Sequence, residues 1–257
     1  MKLDPIVQIR NLVKRRGQGG SAFELRVPEL VFEPGRFYGI SGPSGSGKST
    51  LLDLLALVLR PTFVERFRIA PHGSDALNVV ELWRRNDEAG LTNLRKLSFG
   101  YVLQSGGLIG FLSVRQNLAI PYQLVGQHPD WRRIETLAKR FGIERELEKK
   151  PRHLSAGQRQ RAAILRALML KPPLVLADEP TAALDRLRAV QIAEEFRALA
   201  LESGSTIIMV SHDQGMLTSL ADAVLELATT VDTGQTAVST ATWLPGDGRR
   251  DRGASDL

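Results

Sequence analysis

The sequence predicts an α/β fold: a parallel or mixed sheet flanked by helices, with an N-terminal antiparallel β subdomain and an inserted α-helical subdomain. Three observations carry this. Short apolar runs suited to buried strands, "FYGIS" (37–41), "PPLVLADEP" (172–180) and "TIIMVSHD" (206–213), are separated by helical stretches. Strands that alternate with helices build parallel sheets. Residues 5–34 instead alternate apolar and polar side chains, the period of half-buried strands. Residues 113–170 read mainly helical, a block long enough to form a lobe of its own.

In order along the chain, "IVQIRNLV" and "AFELRVPELVFEPG" are two strand candidates with "GQGGS" as the turn between them. "FYGIS" leads into a glycine-rich loop and then a helix, "KSTLLDLLALVL" (48–59). Residues 60–97 are less regular, with a helical run near "ALNVVELWRR". "LSFGYVLQ" (97–104) returns to strand character, and the helical block follows. "RLRAVQIAEEFRALALES" (186–203) is an amphipathic helix, while "AVLEL" and "TAVSTATWL" are weaker strand candidates. We read 1–244 as one domain, with the helical subdomain at about 113–171. Beyond it, 245–257 is Gly, Arg and Asp without apolar pattern and is expected to be disordered.

Composition narrows the chemistry. With 43% hydrophobic and 24% charged residues the chain is globular in type. It has no cysteine, so neither disulfides nor thiolate chemistry operate. Its start lacks the apolar core of a signal peptide, and the longest apolar run is short and holds Asp53, so a soluble or peripheral protein is expected. The net charge is +6, and between His128 and Lys171 12 Lys and Arg stand against 5 Asp and Glu. A solvated helical face explains that excess, as does an acidic protein surface or an anionic leaflet. Nucleic acid is disfavoured: only Trp131 and Phe141 are there to stack on bases.

"GPSGSGKST" (42–50) fits G-x-x-x-x-G-K-[ST] between a strand and a helix. A glycine-rich turn explains the glycines but not the Lys-Ser pair. In the phosphate-binding reading, Gly42, Pro43, Ser44, Gly45, Ser46, Gly47, Lys48, Ser49 and Thr50 form the loop. Backbone N–H groups of 45–49 wrap the phosphates. Lys48 bridges the β and γ phosphates, and Ser49 holds Mg²⁺. The core is then a P-loop NTPase. "LVLADE" (174–179) ends in two carboxylates. Adjacent side chains at a strand end diverge, so Asp178 can face the metal while Glu179 polarises the attacking water. Gln104 can sense metal or water, and His212 can reach a γ-phosphate from the end of a further core strand.

The stretch "HLSAGQRQRAAILRAL" (153–168) reads as a capped helix, with Ser155 as N-cap and Gln158 completing a capping box. Capping does not explain why it lies where it does. "GPSGSGKST", Gln104, "LSAGQ", "LVLADEP", "AALD" and "SH" occur in the order and spacing of an ABC transporter ATPase subunit, and the chain resembles that family over roughly residues 5–228. "LSVRQNLAIP" and "ADEPTAALD" look most like its lipoprotein-release and macrolide-export branch.

The resemblance implies ATP hydrolysis with Mg²⁺ held by Ser49, Gln104 and Asp178. It implies a head-to-tail homodimer in which Leu154, Ser155, Ala156, Gly157 and Gln158 cover the ATP of the other copy, with Asp185 in the neighbouring D-loop. It implies integral membrane permease-type subunits as partners and a place on the cytoplasmic face of the inner membrane. Two departures stand out. Ala156 replaces a usual glycine: it is tolerated at a helical first turn, but costs about 1 kcal/mol if the position needs φ > 0. Where the family has an aromatic ring for adenine the sequence reads "KRR", with Arg16 as equivalent, Arg15 if the register slips, and Phe23 as nearest aromatic. The expected function is an ATP-hydrolysing subunit that drives a membrane partner for export, lipoprotein extraction or mechanotransmission. The alternative is a soluble ABC-type ATPase acting on nucleic acid or ribosomes. Such relatives carry a long coiled coil or two cassettes, and this sequence has neither. A binding module without turnover is disfavoured by the presence of both Glu179 and His212.

Overall fold

A computed structural model describes residues 4–17, 22–71, 75–182, 184–231 and 236–244. Most of the "GQGGS" turn, Ala183 and the tail expected to be disordered therefore lie outside the described residues.

β1 (Val7–Arg16) and β2 (Phe23–Phe32) pair antiparallel, with Arg16 opposite Phe23. Asn11 takes φ +48 and shifts the phase of β1, so Ile9 and Leu12 both reach the core. β3 (Phe37–Ser41) is buried along its length and leads through the glycine loop to α1 (Lys48–Leu55). β4 (Phe63–Ile69), β5 (Leu77–Asn78), α2 (Val79–Arg84) and α3 (Glu88–Ser98) follow, then β6 (Phe99–Val102). α4 (Val114–Leu124), α5 (Trp131–Arg140) and α6 (Ala156–Leu168) form the helical lobe. β7 (Leu174–Asp178), α7 (Arg186–Glu202), β8 (Thr206–Val210), α8 (Gln214–Leu220), β9 (Ala223–Val231) and β10 (Ala237–Trp243) complete the chain's described elements.

The described strands form one mixed sheet in the order β5-β4-β1-β2-β10-β9-β3-β8-β7-β6. β9, β3, β8, β7 and β6 run parallel, and β4, β1 and β2 run antiparallel. β10 joins the two halves, parallel to β2 and antiparallel to β9. One apolar cluster lies between the sheet and the helical lobe with α7 and α8. The other lies under β1, β2 and α1–α3.

The structure departs from the sequence reading in three places. α1 ends at Leu55, because Leu57 turns to φ +58 and the amides of Val58 and Leu59 return to the Asp53 carbonyl. The irregular stretch 60–97 contains β4, in which only Phe67 and Ile69 are buried, too few to give an apolar signal. Leu97 and Ser98 belong to α3, which Asp87 caps.

At α6 the capping box is present in both directions: Ser155 Oγ accepts from the Gln158 amide, and the Gln158 side chain accepts from the Ser155 amide. Ala156 is the first helical residue and has no positive φ. Of the two readings for this position, the helical one holds, where alanine carries no penalty.

Candidate nucleotide-binding and hydrolysis site

The loop 42–47 between β3 and α1 is shaped by backbone that only glycine adopts readily. Gly42 has φ +145, and a Cβ there would stand 2.8 Å from the Leu227 carbonyl oxygen. Gly47 has φ +91 and precedes α1, which lacks a side-chain cap and any acidic residue in its first turn. Its free N–H groups and the positive end of its dipole therefore face the loop.

Lys48 is buried, and its Nζ donates to the carbonyls of Gly42 and Pro43 at 2.9 and 2.8 Å. Burial pushes its pKa below the usual lysine value, opposed by the nearby carboxylates of Glu179 and Asp178. Ser49 is exposed, Thr50 is buried, and the buried Ser46 Oγ has no hydrogen-bond partner.

Asp178 ends β7 and Glu179 follows it with φ +47, its amide donating to the Val210 carbonyl at 3.1 Å. A non-glycine residue in this region is uncommon, and strain of this kind clusters at functional sites. Gln104 Nε2 donates to Glu179 Oε2 at 3.1 Å, and His212 Nε2 stands 2.5 Å from Glu179 Oε1. One cavity of about 470 Å³ is lined by Arg16, Phe23, Ser44, Gly45, Gly47, Lys48, Ser49, Thr50, Gln104, Glu179 and His212. Residues from six separate segments thus meet in one place.

The register singles out Arg16 over Arg15. Arg15 turns to the buried Glu24, which Arg26 also pairs, and the two guanidinium groups hold that carboxyl below the usual range. Arg16 has no ion-pair partner among the described residues and lines the cavity. Phe23 lies beside it, and its Cζ stands 2.8 Å from the place a Cβ on Gly47 would take.

Leu154–Gln158 lie elsewhere. Ser155, Ala156, Gly157 and Asp185 line a separate concavity of about 650 Å³ with Arg140, Arg161 and Arg188. Leu154 is buried, and the Gln158 side chain donates to Glu146. A Cβ on Gly157 would stand 2.8 Å from Leu184 Cδ2. No lining residue is common to the two cavities.

Sequence reasoning missed one contact. The Tyr101 hydroxyl donates to Asp53 Oδ1 at 2.9 Å, tying α1, one turn beyond Ser49, to the strand that leads to Gln104. Burial, reinforced by the Asp53 carboxylate, raises the tyrosine pKa and keeps it the donor. The signal was an aspartate inside the apolar run "LLDLLALVL", which needs a partner if buried.

Comparison with known proteins agrees with this geometry. The ABC transporter family model matches residues 25–182. The macrolide export ATP-binding/permease protein MacB of Nitrosomonas europaea is 38% identical over 221 residues, 82% of this chain and 31% of that protein. The chain thus spans about a third of the length of its MacB relatives. MJ0796 of Methanocaldococcus jannaschii, named an uncharacterized ABC transporter ATP-binding protein, is 34% identical over 215 residues, covering 81% of this chain and 87% of that one. The solved dimeric post-hydrolysis structure of that cassette, bound to ADP and Pi, aligns with a TM-score of 0.77 at 31% identity, over 93% of this chain and 99% of that one. With its phosphate loop, strand-end carboxylates and separate signature helix in one α/β frame, the chain belongs to the ABC transporter family as an ATP-binding domain.

Proposed function

We propose that this ABC-type ATPase drives a separate membrane partner by closing and opening as a homodimer, with Mg²⁺·ATP as its fuel. The observation that carries the reading is the split site: one cavity gathers the phosphate loop, Gln104, Glu179 and His212, while the signature helix faces a different concavity. A second copy, reversed, brings its signature helix to the first copy's ATP. The solved MJ0796 relative is a dimer, which supports this arrangement.

Within the site, the α1 N-terminus and Lys48 hold the phosphates. Lys48 exchanges the Gly42 and Pro43 carbonyls for phosphate oxygens. Glu179 accepts a proton from the attacking water, and His212 contacts the γ-phosphate. Ser49, Asp178 and Gln104 supply hard oxygen donors suited to Mg²⁺, which needs few protein ligands when phosphates complete its shell. Bound there, the ion neutralises charge that develops on the phosphates. Ser155 Oγ and the Gly157 amide of the second copy grip the γ-phosphate.

Base recognition is loose in this reading. Arg16 offers a planar but hydrated face, and phosphates, metal and dimer closure supply most of the binding. ATP and GTP are expected to support turnover within about tenfold of each other, a gap of about 1.4 kcal/mol. Arg16→Tyr is expected to tighten ATP binding, since base stacking on a ring contributes about 1–3 kcal/mol. Competition of ATP and GTP in steady-state assays measures the first. A strong native preference for ATP would assign the stacking face to Phe23.

The membrane partner is supported by a groove of about 270 Å³ between the core and the lobe, lined by Phe99, Tyr101, Ile109, Ile120, Pro121 and Leu124 among others. Leu97 and Phe111, next to its lining segments, are 63% and 74% exposed. Single surface apolar residues are ordinary, but a groove with apolar rims suits a short helix of another chain. MacB relatives carry a permease in the same polypeptide, and no described helix of this chain is long and apolar enough to cross a membrane. The occupant we assign is a helical segment of permease-type subunits, which places the chain on the cytoplasmic face of the membrane. Leu97→Glu with Phe111→Glu is expected to abolish co-purification with the detergent-solubilised partner, while the purified protein still hydrolyses ATP. Undiminished co-purification of that double variant would rule out the groove as the docking site.

A further inference from the structure

The corner where α4 gives way to α5 lies outside the ATP cavity and the signature concavity. It holds a depression of about 450 Å³ lined by Tyr122, Gln127, Asp130, Arg132, Arg133 and Lys171, among others. Its charges are unevenly committed. Asp130 caps α5 through the Arg133 amide. Arg133 donates to the carbonyls of Leu168 and Met169 at the end of α6. Arg132 and Lys171 are exposed and have no ion-pair partner among the described residues. Two uncompensated cations therefore stand at the rim of a polar hollow.

Two exposed apolar side chains lie next to the depression, outside its lining. Leu124 is 57% exposed and Trp131 46% exposed, one on each side of the loop 125–130. The Arg115 guanidinium sits 5.9 Å from the Trp131 ring centroid, but Glu135 and Glu148 pair it, so it adds no free charge. The unpaired Arg132, next in the chain to this exposed indole, and Lys171 across the same depression match the composition of surfaces that rest in the headgroup layer of an anionic bilayer. Leu170 borders both this depression and the apolar groove, so the two are neighbours. Nucleic acid fits less well, because a single ring gives no stacking track.

We infer that this corner binds anionic lipid headgroups, with Arg132 and Lys171 contacting the phosphate-bearing group and Trp131 entering the interface. Its orientation toward the bilayer rests on the membrane-partner reading, but the test does not need the partner.

Purified, nucleotide-free full-length protein is sedimented with vesicles of phosphatidylcholine alone or mixed with phosphatidylglycerol. Binding is expected only to the mixed vesicles, with a blue shift of tryptophan emission that Trp131→Ala removes. Arg132→Ala with Lys171→Asn is expected to weaken binding about 30-fold, two basic contacts at a charged leaflet. Asparagine is chosen because Lys171 has φ +51. The control is Arg66→Ala with Arg68→Ala on β4, equal in charge and exposed on another element; it is expected to leave binding nearly unchanged. Equal losses in both doubles would mean bulk charge and overturn the inference. So would no capture of the wild-type protein, or tighter capture of a duplex oligonucleotide through the same two residues. Vesicle capture without partner recruitment, or the reverse, tells the failure of one reading from the failure of the other.

Discussion

Glu179→Gln is expected to bind ATP as the native chain does and to hydrolyse it on the order of 10²–10⁴ times more slowly, the usual contribution of a positioned general base. The amide keeps the shape of the carboxylate. Its oxygen still accepts from Gln104 or His212, which hold Glu179 at 3.1 and 2.5 Å. It cannot take a proton from water at neutral pH. The phosphate contacts lie in the loop and α1 and are untouched. ATP should therefore accumulate in a closed dimer, seen as a shift to twice the mass in size-exclusion chromatography with Mg²⁺·ATP. Lys48→Ala behaves in the opposite way. It removes a buried cation from beside the phosphates, so nucleotide affinity falls and no trapped dimer forms. Single-turnover rates and nucleotide affinities separate the two variants. Hydrolysis at the native rate by Glu179→Gln would assign the base elsewhere.

Ser155→Arg is expected to stop turnover, a loss on the order of 10²–10³ or more, because a preorganised set of donors is blocked. The structure predicts a modest effect on folding. Ser155 is exposed and its cap contributes about 1 kcal/mol. ATP binding to the monomer should survive, since the signature helix and the phosphate loop line different cavities of one chain. Mixing this variant with Lys48→Ala provides the stringent measurement. In a mixed dimer one site carries both lesions and the other carries neither. Random pairing leaves about a quarter of all sites intact. Recovery toward that level, starting from two inactive samples, is the expected result. No recovery, with mixed dimers shown to form, would mean that one intact site does not suffice or that sites are not shared. Full turnover by a strict monomer at every concentration would remove sharing altogether.

The parallel half of the sheet was legible because its strands are buried on both faces. "FYGIS", "LVLAD" and "TIIMV" read as unbroken apolar runs and became β3, β7 and β8. The β1–β2 hairpin was legible through its alternation. β4 was not, because it lies near the sheet edge and carries Glu65, Arg66 and Arg68 outward. The insertion of β10 between β2 and β9 had no local signal: which strand a short apolar run joins is decided by tertiary pairing. At the site, ordered motifs named the residues that share the cavity, from Gly45 and Lys48 to Gln104, Glu179 and His212. The choice between Arg15 and Arg16 needed the register, since Glu24 draws Arg15 away. The strain at Glu179 is a three-dimensional fact without a sequence period, and Asp53 in its apolar run signalled a partner without saying that it is Tyr101.

The placement of β10 has a mechanical consequence. Hydrogen-bonded on both sides, it fuses the wall that carries Arg16 and Phe23 to the wall that carries the phosphate loop. Both walls of the cavity thus belong to one continuous hydrogen-bonded sheet. The chain enters the helical lobe after β6 and leaves it before β7, at the sheet's far margin. Both covalent crossings between sheet and lobe are therefore at that margin. In the proposed cycle, the gain or loss of a γ-phosphate in the cavity reaches the lobe through these two crossings, beside Gln104 and Asp178.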